Sequence, residues 1–204
     1  MRGRSGVLAF DRRAVSLNYV EYLKTIAGAA CALAFFTACG GSDSPAGASV
    51  DWTNGRGSAT CHEWQRAYCE LANKCGGTAL ADCAKQYQGI ACNSDTTAAN
   101  CATTLAASSC ATVPTGCSAT DLADTAPAIA GCTQLYTSIC AINTRCGATT
   151  TADACMTELQ TQHNCNSTIG LELSFETCIS KLGSESCDST SAPAECSKVM
   201  VNAP

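Results

Sequence analysis

The sequence predicts an all-α fold built as two tandem disulfide-rich modules of about three short helices each. Three observations carry that expectation. First, 18 of the 204 residues are cysteine, a density that ordinary globular chains do not reach and that persists as disulfide only in an oxidising compartment. Second, sixteen of these form two sets of eight: Cys61, Cys69, Cys75, Cys83, Cys92, Cys101, Cys110, Cys117, and then Cys132, Cys140, Cys146, Cys155, Cys165, Cys178, Cys187, Cys196. The first three offsets between the sets are each 71 residues and the later ones drift to 72, 73, 77, 77 and 79, as loop insertions in a duplicated unit would give. Third, cysteines and apolar residues recur three and four apart, the spacing of one helix face.

In the first module the first such stripe is Cys61, Trp64, Tyr68, Leu71 and Cys75. Its counterpart is Cys132, Leu135, Ile139, Ile142 and Cys146. Thr60 with Glu63 has the spacing of a capping box, and Gly76 and Gly147 stand where each helix is expected to stop. Second helices are expected at about 79–88 and 152–163, carrying Leu80, Cys83 and Tyr87 in one and Cys155 and Leu159 in the other. Third helices carry Ala98, Cys101 and Leu105, and Leu171, Phe175, Cys178 and Leu182. Both modules close on Pro-x-x-Cys, at Pro114–Cys117 and Pro193–Cys196.

Eight cysteines allow 105 connectivities, and spacing narrows them without fixing one. In an antiparallel helix hairpin, paired positions have nearly constant sums: Cys61 with Cys92 gives 153 and Cys69 with Cys83 gives 152, while the second set gives 297 and 295. A hairpin of the second and third helices is equally symmetric, since Cys83 with Cys110 and Cys92 with Cys101 both give 193. The first-hairpin pairing is adopted as the expectation. A module near 60 residues buries a small core, so four disulfides at about 2–4 kcal/mol each exceed what the core supplies.

Before the modules lies a leader. Basic residues (Arg2, Arg4, Arg12, Arg13, Lys24) precede the apolar run 25–36, then Phe36-Thr37-Ala38-Cys39 and Gly40. The run is shorter than the ~20 residues of a membrane span, and it ends at small residues and a cysteine, a signal-peptide grammar. It resembles the lipobox of bacterial lipoproteins, with Phe36 where that family usually has Leu. The resemblance implies cleavage after Ala38, a lipid on Cys39, and a membrane partner reached through that anchor. Gly40, not Asp, after the cysteine implies a lipid-anchored place in the cell envelope, at the outer membrane. The whole cysteine rhythm is similar to that of cysteine-rich lipoproteins of predatory and social soil bacteria, a loose class that implies no activity.

The expected organisation is a signal peptide over 1–38, a flexible tether over 39–58, module one over 59–118, and module two with its linking segment over 119–204. Cys31 leaves with the signal peptide and Cys39 takes the lipid, so sixteen cysteines remain to pair. Residues 1–38 hold five of the 12 basic and two of the 17 acidic residues, leaving seven against fifteen, a net charge of −8. That balance argues against nucleic acid as a partner.

Chemistry has few footholds. The histidines are His62 and His163, each without a histidine at the matching place in the other module. Adjacent helical residues such as Cys61 and His62 point apart, which defeats a nucleophile pair. Metal binding wants unpaired ligands at close spacing, yet the closest cysteines are six residues apart, so neither a metal nor another cofactor is expected. Trp64 and Tyr68 read as core, whereas Trp52 sits in the polar stretch before module one and reads as a residue that docks on a module surface or contacts a partner. The function expected is a non-enzymatic structural or interaction module of the envelope. A binding protein for a small ligand or peptide is the first alternative, and a redox or hydrolytic envelope enzyme the second.

Overall fold

The computed structural model describes residues 49–110, 112–189 and 192–203. Cys31 and Cys39 lie outside these residues, as do the signal peptide and the first part of the expected tether. Among the described residues the chain is mostly helical, with seven α-helices, one two-stranded sheet and eight disulfides. The all-α, disulfide-rich class read from the sequence is the class observed.

The N-terminal half holds α1 (Ala59–Gly76), α2 (Leu80–Tyr87), α3 (Asp95–Ala107) and the single turn α4 (Ala119–Leu122). Helix α1 starts because Ser58, in extended conformation, accepts from the Cys61 amide, satisfying one of the four orphan donors of a helix start. Thr60 therefore lies inside the helix, and the Thr60–Glu63 capping box is corrected to a Ser58 cap. The helix runs through Gly76 and stops at Gly77, whose φ of 69° places it in the left-handed region; there a Cβ would be strained. Of the predicted stripe, Cys61, Trp64 and Leu71 are buried and Tyr68 and Cys75 are half-buried, while Cys69 is buried beside them.

The C-terminal half holds α5 (Thr125–Arg145), α6 (Ala152–Gln162), β1 (Thr168–Leu171), α7 (Phe175–Ser184) and β2 (Met200–Asn202). Asp124 caps α5 by accepting from the Ala126 amide, and Gly147 at φ 77° follows its end. Both Pro-x-x-Cys segments make the same turn, with Cys117 N–H donating to Pro114 O and Cys196 N–H to Pro193 O.

The two cysteine sets pair in the same order: first with fifth, second with fourth, third with seventh, sixth with eighth. The bonds are Cys61–Cys92, Cys69–Cys83, Cys75–Cys110 and Cys101–Cys117, then Cys132–Cys165, Cys140–Cys155, Cys146–Cys187 and Cys178–Cys196. Two bonds close each hairpin of the first and second helices, the one of the two equally symmetric pairings adopted as the expectation. The other two tie the third helix to the first helix's end and to the tail.

Two buried clusters form around these bonds. One gathers Trp64, Tyr87, Ile90, Ala98 and Leu105; the other gathers Leu135, Ile139, Leu159, Phe175 and Leu182. Three expectations about boundaries are corrected here. Ala119, Leu122 and Ala123 pack into the first cluster, so the first half extends past 118 to about 123. Leu171, placed by its spacing on the third helix, lies on β1, and that helix starts at Phe175. Finally, the end of the expected tether is bound: Trp52–Asn54 form a 3-10 turn with Trp52 packed on the first cluster. The Gln88 amide holds Asp51 O at 2.5 Å, and the Arg56 amide donates to Gln88 O at 2.7 Å. Glycine and serine composition suggested freedom there, but specific hydrogen bonds outweigh it.

Candidate functional site: the junction between the halves

The distinctive chemistry of the described chain gathers where the halves meet. Between the fifth and sixth cysteines the first half has nine residues of separation and the second thirteen. The four-residue strand β1 occupies that extra length, pairing antiparallel with β2. Ile169 and Val201 belong to the first half's core, and Leu171 and Val199 to the second's. All four β1 residues are buried, because the small sheet is covered on both faces. It is shared core, and it joins the halves into one packed body.

Backbone approach there is close. Leu171 N–H donates to Gly89 O at 2.8 Å. A Cβ on Gly89 would lie 2.6 Å from Leu171 O, and one on Gly170 would lie 2.7 Å from Gly89 O. Neither contact leaves room for a side chain, so glycine is required on both sides. Arg56 bridges the same seam, its Nε donating to Leu171 O at 2.8 Å and its Nη2 lying 3.7 Å from the Glu176 carboxylate.

Glu172 follows the strand at this seam and is half-buried. Burial pushes its carboxyl up to about 7, against the opposing pull of Lys198 and Lys85, which lie on different halves. The resulting group exchanges a proton near neutral pH at the junction. Lys198 adopts a left-handed backbone with φ 59°, uncommon for a residue with a side chain. Val199 O accepts from the Glu172 amide at 2.9 Å.

The residues singled out by sequence fall as follows. All sixteen module cysteines are paired, so no thiol stands beside His62. That histidine is half-buried, with its Nε2 at 2.8 Å from Gly55 O, and holds the N-terminal segment against α1. His163 ends α6 next to the sheet, 3.5 Å from Thr168 Oγ1; burial lowers its pKa, and a hydrogen bond with Asn202 partly offsets that. The two histidines sit in different halves, each beside backbone. Trp64 and Tyr68 are in or against the core, where Tyr68 stacks on Tyr87 at 4.4 Å and Trp64 Nε1 donates to Cys117 O at 3.2 Å. Burial raises the Tyr87 hydroxyl's pKa strongly.

Glu172, Gly89 and Gly170 were not identified from sequence. The signal for them was the jump in cysteine offset from 73 to 77, which falls where β1 enters, followed at once by Glu172. Among the described residues no group of three or more His, Cys, Asp or Glu side chains could hold a metal, and no helix is long and apolar enough to cross a membrane. No family, curated protein or solved structure matches the chain.

Proposed function

We propose that this chain is a lipid-anchored, disulfide-stapled protein of the cell envelope, built from two copies of one eight-cysteine unit and acting as a structural or interaction module. The observation that carries this reading is the shared connectivity. Each half uses all eight of its cysteines in the same order of pairing, so the sixteen cysteines from Cys61 to Cys196 satisfy one another, leaving Cys31 within the apolar run and Cys39 at the end of a lipobox-like sequence. Eight disulfides also require folding in an oxidising compartment, which agrees with export to the envelope.

The anchor would sit close to the fold. Asp51 is already held by Gln88, so about twelve residues separate it from Cys39, a reach of at most about 40 Å. Attachment at Cys39 would keep the modules near the lipid surface, suited to bridging or bracing envelope components. An intact mass of the protein from its native membrane tests this. The reading predicts a chain starting at a Cys39 that carries diacylglycerol, with no free thiols, and release of the Cys39→Ala variant from the membrane fraction. A mature chain with unmodified Cys39 would overturn it.

A further inference from the structure

The eight disulfides are not equally accessible. A buried core shelters six of them: Cys69–Cys83, Cys101–Cys117, Cys132–Cys165, Cys140–Cys155 and Cys178–Cys196 are buried at both ends, and Cys61–Cys92 at Cys61. The third-to-seventh bond of each half differs. Cys75 is half-buried with Cys110 exposed, and Cys146 is half-buried with Cys187 exposed. The same bond is open to solvent in both halves.

The same bond is also clamped in both. The residue before the third cysteine is a cation that donates to the carbonyl two residues before the seventh: Lys74 Nζ to Ser108 O at 3.5 Å, and Arg145 Nη2 to Glu185 O at 2.5 Å. Arg145 Nη1 adds a bond to Gly183 O at 3.1 Å. Each cation holds the loop bearing the exposed cysteine against the end of the first helix, independently of the disulfide. With that bond open, the two sulfurs stay neighbours at high effective concentration, and three more sheltered disulfides still staple each half.

We propose that Cys75–Cys110 and Cys146–Cys187 are thiol-exchange sites, opened by a dithiol reductant while the fold and the other six disulfides persist. One thiolate of the dithiol attacks the exposed Sγ of Cys110 or Cys187. An S–S bond forms to the reductant as the protein's bond breaks, and the electron pair leaves on Cys75 or Cys146 Sγ, which takes a proton from water. The reductant's second thiolate attacks its own sulfur in the mixed disulfide, closes the reductant's disulfide, and releases Cys110 or Cys187 to be protonated. The dithiol loses two electrons and two protons, and the cysteine pair gains them.

Graded dithiothreitol treatment of the folded protein, with iodoacetamide labelling and peptide mapping, tests this. Cys75, Cys110, Cys146 and Cys187 are expected to label about tenfold or more faster than the other twelve module cysteines, with far-ultraviolet circular dichroism unchanged. Earliest labelling at Cys69 or Cys83, or labelling of all sixteen together with loss of helix, would overturn it. In the variant C75S/C110S/C146S/C187S the fast labelling phase is expected to vanish, and its survival at full amplitude would contradict the assignment. Should that variant not fold, the map on the unaltered protein decides alone.

Discussion

The two halves share their disulfide order and helix hairpins but fill them with different side chains. Counted from the cysteines, Trp64, Tyr68 and Tyr87 in the first half correspond to Leu135, Ile139 and Leu159 in the second. Conversely, the position three before the sixth cysteine is Ala98 in the first half and Phe175 in the second, both buried. One half places its aromatic bulk on the first two helices, whereas the other divides it between Tyr136 on the first and Phe175 on the third. Volume is redistributed within a fixed frame, which agrees with the tolerance of cores for changes that conserve total volume. The cysteines set the geometry, and the residues between them need only fill it.

A polar position shows the same freedom. Four residues after the first cysteine, Gln65 donates to Ile90 O at 2.8 Å, and Tyr136 donates to His163 O at 3.0 Å. Both carbonyls lie two residues before the fifth cysteine. Unlike side chains thus satisfy the same backbone acceptor, which would otherwise be left unpaired in a protected site. Gln65 also donates to Arg56 O at 3.0 Å, a contact used only in the first half, where the N-terminal segment docks.

The largest effect expected is from complete reduction. With about 2–4 kcal/mol carried by each disulfide and small cores in both halves, reduction of all eight bonds unfolds the two halves together. Circular dichroism that stays fully helical after exhaustive reduction and alkylation would mean that the side chains, not the cysteines, hold the frame.

Next is the seam. Gly170→Ala drives a Cβ against Gly89 O and the Ile90 side chain, and because one obstacle is backbone the cost is about 1–3 kcal/mol. Gly183→Ala, on α7 with open space around it, should instead stabilise by about 0.5–1 kcal/mol. Urea denaturation of the two variants reads both signs. If the seam couples the halves, the native chain unfolds in one transition and Gly170→Ala lowers its midpoint; two transitions in the native chain would show the halves to be independent.

Much of this frame was legible in the sequence because cysteine spacing and helical periodicity are local signals. Cys61, Trp64 and Leu71 recur on one face, and their spacing alone places them on a helix. The seam was not legible. Thr168-Ile169-Gly170-Leu171 extends into a strand only because β2, some 30 residues later, pairs with it and because the first half's core receives Ile169. Leu171 fits a helical stripe with Phe175 equally well by spacing, and tertiary pairing overrode that local reading. Likewise Ser58 outcompeted Thr60 as the cap, and the hydrogen bonds that Gln88, His62 and Gln65 make to the carbonyls of Asp51, Gly55 and Arg56 are invisible in composition. The burial that shifts Glu172 is a product of the assembled seam.

Smaller effects separate the halves at their shared polar position. Gln65→Leu strands the buried Ile90 O and the partly buried Arg56 O and should cost about 2 kcal/mol, against about 1 kcal/mol for Tyr136→Phe, which strands one partly buried carbonyl. Equal losses would show that the Arg56 contact adds nothing to the first half.

The smallest effect is pH-dependent. The folded-state pKa of Glu172 is raised to about 7 from 4.5, so the folded protein holds this proton over a window in which the unfolded chain has released it. Stability from this group is therefore greatest below about pH 4.5, falls as pH rises through the window, and is lowest above pH 7. Since the side chain is half exposed, the change is on the order of 1 kcal/mol after solvent screening. Glu172→Gln should raise the melting temperature at pH 8 and leave it unchanged at pH 4; an equal shift at both would remove Glu172 from the pH response.

The disulfide frame common to both halves is tested most directly by mapping the disulfides of the purified protein, through proteolysis at acidic pH without reduction followed by mass spectrometry. The expected result is eight bonds in which Cys61–Cys92, Cys69–Cys83, Cys75–Cys110 and Cys101–Cys117 repeat in order as Cys132–Cys165, Cys140–Cys155, Cys146–Cys187 and Cys178–Cys196. Finding Cys83–Cys110 with Cys92–Cys101, the other symmetric hairpin, or a different order in each half, would contradict it.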